Sequence, residues 1–252
     1  MARKPLEKFL CLLLLLMAPL LSVAESTEPE IEEEETRNID PWEPMNRKIF
    51  VFNETLDRWI LRPVASGYTK VMPDPAERGV ANFIDNVYEF NFMLNGFLQG
   101  RPDVAATAIG RFMVNTTIGV FGFFDVASRM GIEQQKADFG QTLMTWGVPQ
   151  GPYVMLPIFG PRTLRSATGY FVDTYTSIPV LAWETEEAYL FWTVEAISYR
   201  AGLLDYDDLV TGDRYVFFRS AYLQSREAFL NGGEAPTDDF SDSDDADWGD
   251  DF

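Results

Sequence analysis

Between Asp138 and Arg165 the chain reads DFGQTLMTWGVPQGPYVMLPIFGPRTLR, which sets Gly140, Gly147, Gly151 and Gly160 among Pro149, Pro152, Pro157 and Pro161. Glycine frees the backbone, whereas proline fixes φ and removes a donor. So dense a run of breakers predicts repeated turns between apolar anchors such as Trp146, Tyr153, Leu156 and Phe159, not a regular helix or strand. Two readings are open at this point, a connecting loop packed on a core or a shaped, functional loop. Under both, regular structure has to come from the segments on either side.

Those segments carry helical periodicity. Met45, Ile49, Phe52, Leu56 and Trp59 recur at intervals of four and three and predict a helix with one apolar stripe, ended by Arg62-Pro63. After Pro73 and Pro75, the residues Val80, Phe83, Ile84, Val87, Phe90, Leu94, Phe97 and Leu98 predict a second helix whose apolar face is wider than a stripe, stopped by Gln99-Gly100. Pro102-Asp103 opens a third, with Val104, Ala105, Ala108, Ile109, Phe112 and Met113 on one side. Further on, Leu164, Ala167, Phe171 and Tyr175 mark a helix ending before Pro179, residues 184–205 another, and residues 213–230 the last, closed by Asn231-Gly232-Gly233. The predicted class is all-α, a bundle of amphipathic helices. A second broken piece, IGVFGFFDVA at 118–127, predicts a turn that sends Phe121, Phe123 and Phe124 into an apolar space while Asp125 caps the next turn. Plain core packing of the same rings is the alternative.

Composition narrows the chemistry. The 252 residues include no histidine, and the one cysteine is Cys11. Histidine-based triads and acid–base work, most zinc sites, thiol nucleophiles and disulfides are therefore excluded from the chain after its leader. There is no G-x-S-x-G, no P-loop and no dinucleotide fingerprint. A carboxylate pair would suffice for a glycosidase, but nothing in the sequence singles out two of the many acids. The expectation is no enzyme, no cofactor and no metal.

The net charge of −19 sits mostly in the tails: residues 25–40 hold eight acids against Arg37, and residues 234–252 hold nine acids and no base. The middle of the chain has no strong field, which argues against nucleic acid and against a polybasic lipid-binding mode. Contact with a membrane would have to come through apolar area. Residues 1–24, with Arg3, Lys4 and Lys8 before an apolar run and Ser22-Val23-Ala24, predict a secretory signal peptide. Residues 25–40 predict an acidic disordered linker, 41–233 the helical domain, and 234–252 an acidic disordered tail.

Several ordered motifs together resemble the VacJ/MlaA lipoproteins. They are DPWEPMNR at 40–47, RPV at 62–64, Asn82-Phe83, LQG at 98–100, RFMVN at 111–115, GFFDVA at 122–127, DFGQTL at 138–143, WGV at 146–148, GPY at 151–153, Leu156-Pro157, YRA at 199–201, LLD at 203–205 and NGGE at 231–234. The resemblance covers roughly residues 40–234. It implies a ring of helices around an amphipathic channel, lying in the periplasmic leaflet of a Gram-negative outer membrane beside trimeric porins. It also implies that mislocalised phospholipids leave the outer leaflet through this channel and pass to a periplasmic lipid carrier, so that lipid asymmetry is kept. By the same resemblance Trp146, Gly147, Gly151, Pro152 and Tyr153 belong to a hairpin-like gating loop beside the channel, and Phe121, Phe123, Phe124 and Asp125 to its wall or rim. In one respect the chain departs from the pattern, because no cysteine follows the leader for lipid attachment. Retention is then expected from apolar helices and porin partners. A non-transporting periplasmic structural or interaction protein is the alternative.

Overall fold

The computed structural model describes residues 39–210 and 212–232, so the expected signal peptide, nearly all of the acidic linker and the acidic tail lie outside the described residues. Helix α1 (Glu43–Leu56) runs into a π-helical turn (Asp57–Leu61) and on into α2 (Arg62–Val71) without a break. The helical path thus continues past Arg62-Pro63, where the sequence predicts an end. A proline inside a helix deletes an amide and clashes with the carbonyl four residues back. Here the backbone widens just before it, and the Arg62 amide bonds the Asp57 carbonyl five residues back, so Pro63 enters as the second residue of a new α segment.

Helix α3 (Asp74–Leu98) follows Pro73, and α4 (Pro102–Thr117) follows a three-residue corner. At the corner Gly100 adopts φ +69°, with its amide on Phe97 O and the Arg101 amide on Gly96 O, a Schellman closure that requires a left-handed residue. The two helices pack antiparallel, as the falling register shows: Gly96 lies against Ala105, Glu89 pairs with Arg111, and Asn86 bonds Thr116. A Cβ on Gly96 would come within 2.8 Å of the Ala105 amide nitrogen, so the corner closes only around glycine.

A short α5 (Val126–Arg129) and an extended segment lead to α6 (Phe139–Thr145), capped by Asp138. Then come strands β1 (Tyr153–Leu156) and β2 (Gly160–Thr163), a two-stranded antiparallel hairpin with Tyr153 opposite Thr163. The Gly/Pro stretch therefore contains a helix and both strands, contrary to the expectation of irregular turns throughout. Most of its breakers sit at the junctions, with Gly140 inside α6 and Pro161 inside β2, and the capping box of Thr163 and Ser166 starts α7 (Leu164–Thr176). The chain ends through α8 (Ile178–Ala182), α9 (Thr185–Gly202), a 3-10 turn (Leu204–Leu209) and α10 (Arg214–Leu230). The class is helical, as expected, with one hairpin.

The apolar core is small and divided. One cluster joins Ile84, Val87 and Phe191, ringed by Phe83, Trp183 and Trp192; another joins Tyr153, Met155 and Tyr215, ringed by Phe50 and Tyr222. Outside these clusters, scattered apolar side chains such as Val104, Ala108, Phe139 and Leu143 are buried among many polar ones.

Candidate functional site: a polar interior under an apolar surface

The first helix shows the inversion most clearly. Its predicted stripe faces mostly outward: Met45, Phe52 and Trp59 are exposed, Trp59 by 75%, while Ile49 packs on the cluster of Tyr153, Met155 and Tyr215 and the one fully buried side chain of α1 is Asn46. On α3 the buried set mixes Ile84 and Val87 with Asn86, Glu89, Asn91 and Asn95, while Phe97 and Leu98 face outward. Helix α4 is rotated from its predicted orientation too. Arg111 and Asn115 are buried with Val104, Ala105 and Ala108, and Ile109 and Met113 lie outside. Buried polar groups are tolerated only when hydrogen-bonded, so the question is what satisfies them.

Three networks satisfy most of them, whereas Asn86 Oδ1, Glu89 Oε2 and Asn91 Oδ1 have no hydrogen-bond partner among the described residues. In the first, Arg111 donates to Glu89 Oε1 (2.6 Å), Ser128 Oγ (3.0 Å), the Ile132 carbonyl (2.5 Å) and Asp125 Oδ2 (3.2 Å). Burial pushes Glu89 toward its neutral form, against the opposing pull of Arg111 and Gln134. Burial also opposes the charge on Asp125, yet donors from Ser128, Asn115 and Arg111 prevail and hold it at about 2. In the second, Asn95 donates to Asp173 Oδ1 and the Phe139 amide to Asp173 Oδ2, both at 2.8 Å, while Thr142 bonds Asn95 and Gln99 bonds Thr142. Arg226 clasps Asp138 with both terminal nitrogens. In the third, Asp40 accepts from Asn46, Arg219 and the Tyr215 hydroxyl, and Asn46 bonds both Tyr153 O and the Met155 amide. Asp40 is thus a buried anchor of the fold, not the end of a disordered linker.

Asp173 carries a pH signature. Burial raises its pKa to about 7, well above its ordinary 3.8, despite three donors that lower it. A carboxyl that keeps its proton to higher pH when folded loses stabilisation as that proton leaves. Melting temperature is therefore expected to fall between about pH 4 and pH 7 and to level off above, and Asp173→Asn is expected to flatten that slope. A variant that retains the full slope would assign it to another group.

The predicted loop residues separate into two places. Trp146 caps α6, half exposed; its indole nitrogen donates to Leu98 O at 3.2 Å and its ring meets Phe139 edge-on. Gly147 takes φ +85°, with the Gly147 amide on Met144 O and the Val148 amide on Leu143 O, a second Schellman closure. Gly151 takes φ +69°, and Pro152 is partly buried beside it. The loop is stitched to the helix after it, since Arg165 donates to Val148 O at 2.8 Å and the Leu164 amide bonds Pro152 O. Tyr153 is fully buried among Tyr215 and Tyr222. It fixes the hairpin base, and the mostly exposed part of the loop is 146–151.

The second group lies elsewhere. Phe121 is 72% exposed, Phe123 stacks on Phe83 at 5.7 Å, Phe124 is exposed, and Asp125 caps α5. Val120 and Phe121 both adopt positive φ, a strained choice for non-glycine residues, and a Cβ on Gly122 would strike Asn86 at 2.7 Å. Phe123 O accepts from Asn82 near one end of α3, whereas Trp146 contacts Leu98 at the other. Sixteen helical residues span about 24 Å, so the two groups do not form one constellation.

Sequence reading missed the buried polar side chains of α3. Asn86, Glu89, Asn91 and Asn95 recur along one helix, but such a row normally reads as a solvated face. Among the described residues, no group of three or more His, Cys, Asp or Glu is placed to hold a metal ion, and no helix is long and apolar enough to cross a membrane.

Known proteins share this arrangement. Residues 38–229 match the model of the MlaA lipoprotein family. The chain is 42% identical over 202 residues to the intermembrane phospholipid transport system lipoprotein MlaA of Escherichia coli K12, covering 77% of this chain and 80% of that protein. It is 34% identical to the protein of the same name from Haemophilus influenzae, again covering 77% and 80%, and 39% identical to an uncharacterised Rickettsia prowazekii protein, covering 75% and 77%. A solved chain described as "Structural basis for maintenance of bacterial outer membrane lipid asymmetry" superposes with a TM-score of 0.67 at 40% identity, covering 76% of this chain and 99% of that one. With its helix order, its hairpin and nearly all of its described residues inside the matched span, the chain belongs to the MlaA lipoprotein family.

Proposed function

We propose that the protein is the outer-membrane component of an intermembrane phospholipid transport system. On this reading it sits at the periplasmic side beside trimeric porins, takes mislocalised phospholipids from the outer leaflet through an amphipathic passage, and hands them to a periplasmic lipid carrier. The observation that carries the reading is the inversion of polarity. Large apolar side chains such as Trp59, Val71 and Phe121 lie on the surface, while Asn46, Glu89, Asn95 and Arg111 lie inside. In water that arrangement exposes apolar area without return; against acyl chains the same area is matched to its surroundings. The names of the relatives support the same reading.

No bond is made or broken in lipid passage, so no catalytic residue is assigned. We assign gating to Trp146, Gly147 and Gly151, the adjustable part of the loop, with Pro152 and Tyr153 as its fixed base. Phe121, Phe123 and Phe124 are assigned to the lipid-facing rim, held by Asp125.

Fractionation tests this directly. The protein is expected to sediment with outer membranes, to require detergent for release, and to carry phospholipid detectable by mass spectrometry. Recovery from the soluble periplasm without lipid would contradict transport and favour a periplasmic interaction protein.

A further inference from the structure

A polar cavity of about 240 Å³ lies where the π-helical turn meets α9 and the chain entering α10. Four guanidinium groups line it, those of Arg58, Arg62, Arg200 and Arg214, against three carboxylates, those of Glu54, Asp57 and Asp207. The carboxylates are already engaged. Asp57 accepts from Arg200 Nε (2.7 Å) and Nη2 (3.1 Å), Asp207 pairs with Arg200 and Arg62, and Glu54 pairs with Arg214. Arg58 has no ion pair among the described residues, and Arg200 Nη1 has no hydrogen-bond partner there. With all groups ionised, the lining carries one net positive charge.

Two further features say what kind of anion belongs here. Trp59 and Ile60, in the same turn as Arg58, are exposed, so the cationic rim borders an apolar surface. Tryptophan beside arginine is the pairing found where headgroups meet acyl chains. Moreover, a second cavity of about 290 Å³, lined by Val64, Gly67, Tyr68, Val71, Met72 and Ile197, runs along the same pair of helices, α2 and α9. Arg62 and Val64 are two residues apart, and Ile197 and Arg200 three, so the cationic and apolar linings lie within about 10 Å along the helices.

We propose that the arginine cavity binds the phosphodiester of a phospholipid headgroup, with an acyl chain against the Val64–Val71 groove. The proposal rests on the transport reading and names a headgroup subsite within it. Guanidinium forks suit phosphate oxygens, and the π-helical turn is what brings Asp57, Arg58 and Arg62 to one rim. Arg200, held by Asp57 and Asp207, supplies the rigid floor. Arg58, with no carboxylate partner among the described residues, supplies the charge that the ligand neutralises.

The test uses the full chain in detergent micelles and measures binding of phosphatidylglycerol, of diacylglycerol with the same chains, and of inorganic phosphate. Arg58→Gln with Arg214→Gln is expected to weaken phosphatidylglycerol binding about tenfold and to leave diacylglycerol binding unchanged. Arg58→Lys is expected to restore most of the affinity when Arg214 is intact. Should the double variant fold poorly, Arg58→Gln alone carries the test, because it breaks no ion pair among the described residues. Unchanged phosphatidylglycerol affinity in a folded variant would overturn the site. Displacement of the lipid by inorganic phosphate at equal concentration would overturn the headgroup assignment in favour of free phosphate. Either result is separable from failure of transport itself, which is read as outer-leaflet phospholipid in cells lacking the protein.

Discussion

Arg111→Met, with Glu89 left in place, is expected to lower the unfolding free energy by about 3–5 kcal/mol, the usual cost of stranding one member of a buried ion pair. The pair is almost fully enclosed, with side chains exposed by 4% and 1%. Arg111 also ties α4 to α5 through Ser128 and Asp125, and to the segment after α5 through Ile132 O, so one substitution removes four hydrogen bonds. Changing both partners, Glu89→Gln with Arg111→Met, is expected to recover most of the loss, since the enclosed carboxylate is then gone and Asp125 keeps its bonds from Asn115 and Ser128. Chemical denaturation in detergent, followed by circular dichroism, separates the two variants. A loss under about 1 kcal/mol for the single variant would mean that water reaches Glu89 and that the interior is less closed than its burial implies.

Gly147→Pro combined with Gly151→Pro is expected to raise outer-leaflet phospholipid to nearly the level of cells lacking the protein, while the remaining helices stay folded. Proline holds φ near −65°, whereas these glycines require +85° and +69°, so neither site accepts the substitution without rebuilding the loop. At Gly147 no atom lies within 4 Å of the position a Cβ would take, which confines the damage to the backbone closure on Met144 and Leu143. The start of α6 is held separately, by Asp138 and Arg226. Gly147→Asn is the matched control, because asparagine enters the left-handed region at small cost, and it is expected to retain transport. Normal lipid asymmetry in the proline variant would reduce 146–151 to a connector.

These outcomes depend on details that the sequence shows unevenly. The existence of each major helix is legible, because apolar spacing of three and four fixes an amphipathic axis. Which side of that axis faces inward is not. Met45, Phe52 and Trp59 look like a core stripe and lie outside; Asn86, Glu89 and Asn95 look like a solvated row and lie inside. Periodicity is blind to this choice, since it is set by what surrounds the protein. Pro63 misleads for another reason, because a π-helical turn lets the helix continue past a residue that normally ends it. In the Gly/Pro stretch Gly147 and Gly151 are correctly read as turn positions, whereas Gly140 lies in a helix and Gly160 and Pro161 in a strand. The strands themselves escape notice because each is only four residues long. Phe121, Phe123 and Phe124, proposed for the rim, are legible as an oddity, but the positive φ of Val120 and Phe121 has no sequence signature. Tyr153, legible as part of a motif, proves to be a buried post of the hairpin base.

With polar side chains such as Glu89 and Arg111 inside and apolar ones such as Trp59 and Phe121 outside, the protein is proposed above all to keep phospholipid out of the outer leaflet. The most direct measurement is the amount of phospholipid in that leaflet, labelled from outside intact cells, with the gene present, deleted and restored. A rise on deletion that is reversed by the intact protein is the predicted result; a leaflet that stays unchanged on deletion would contradict the account.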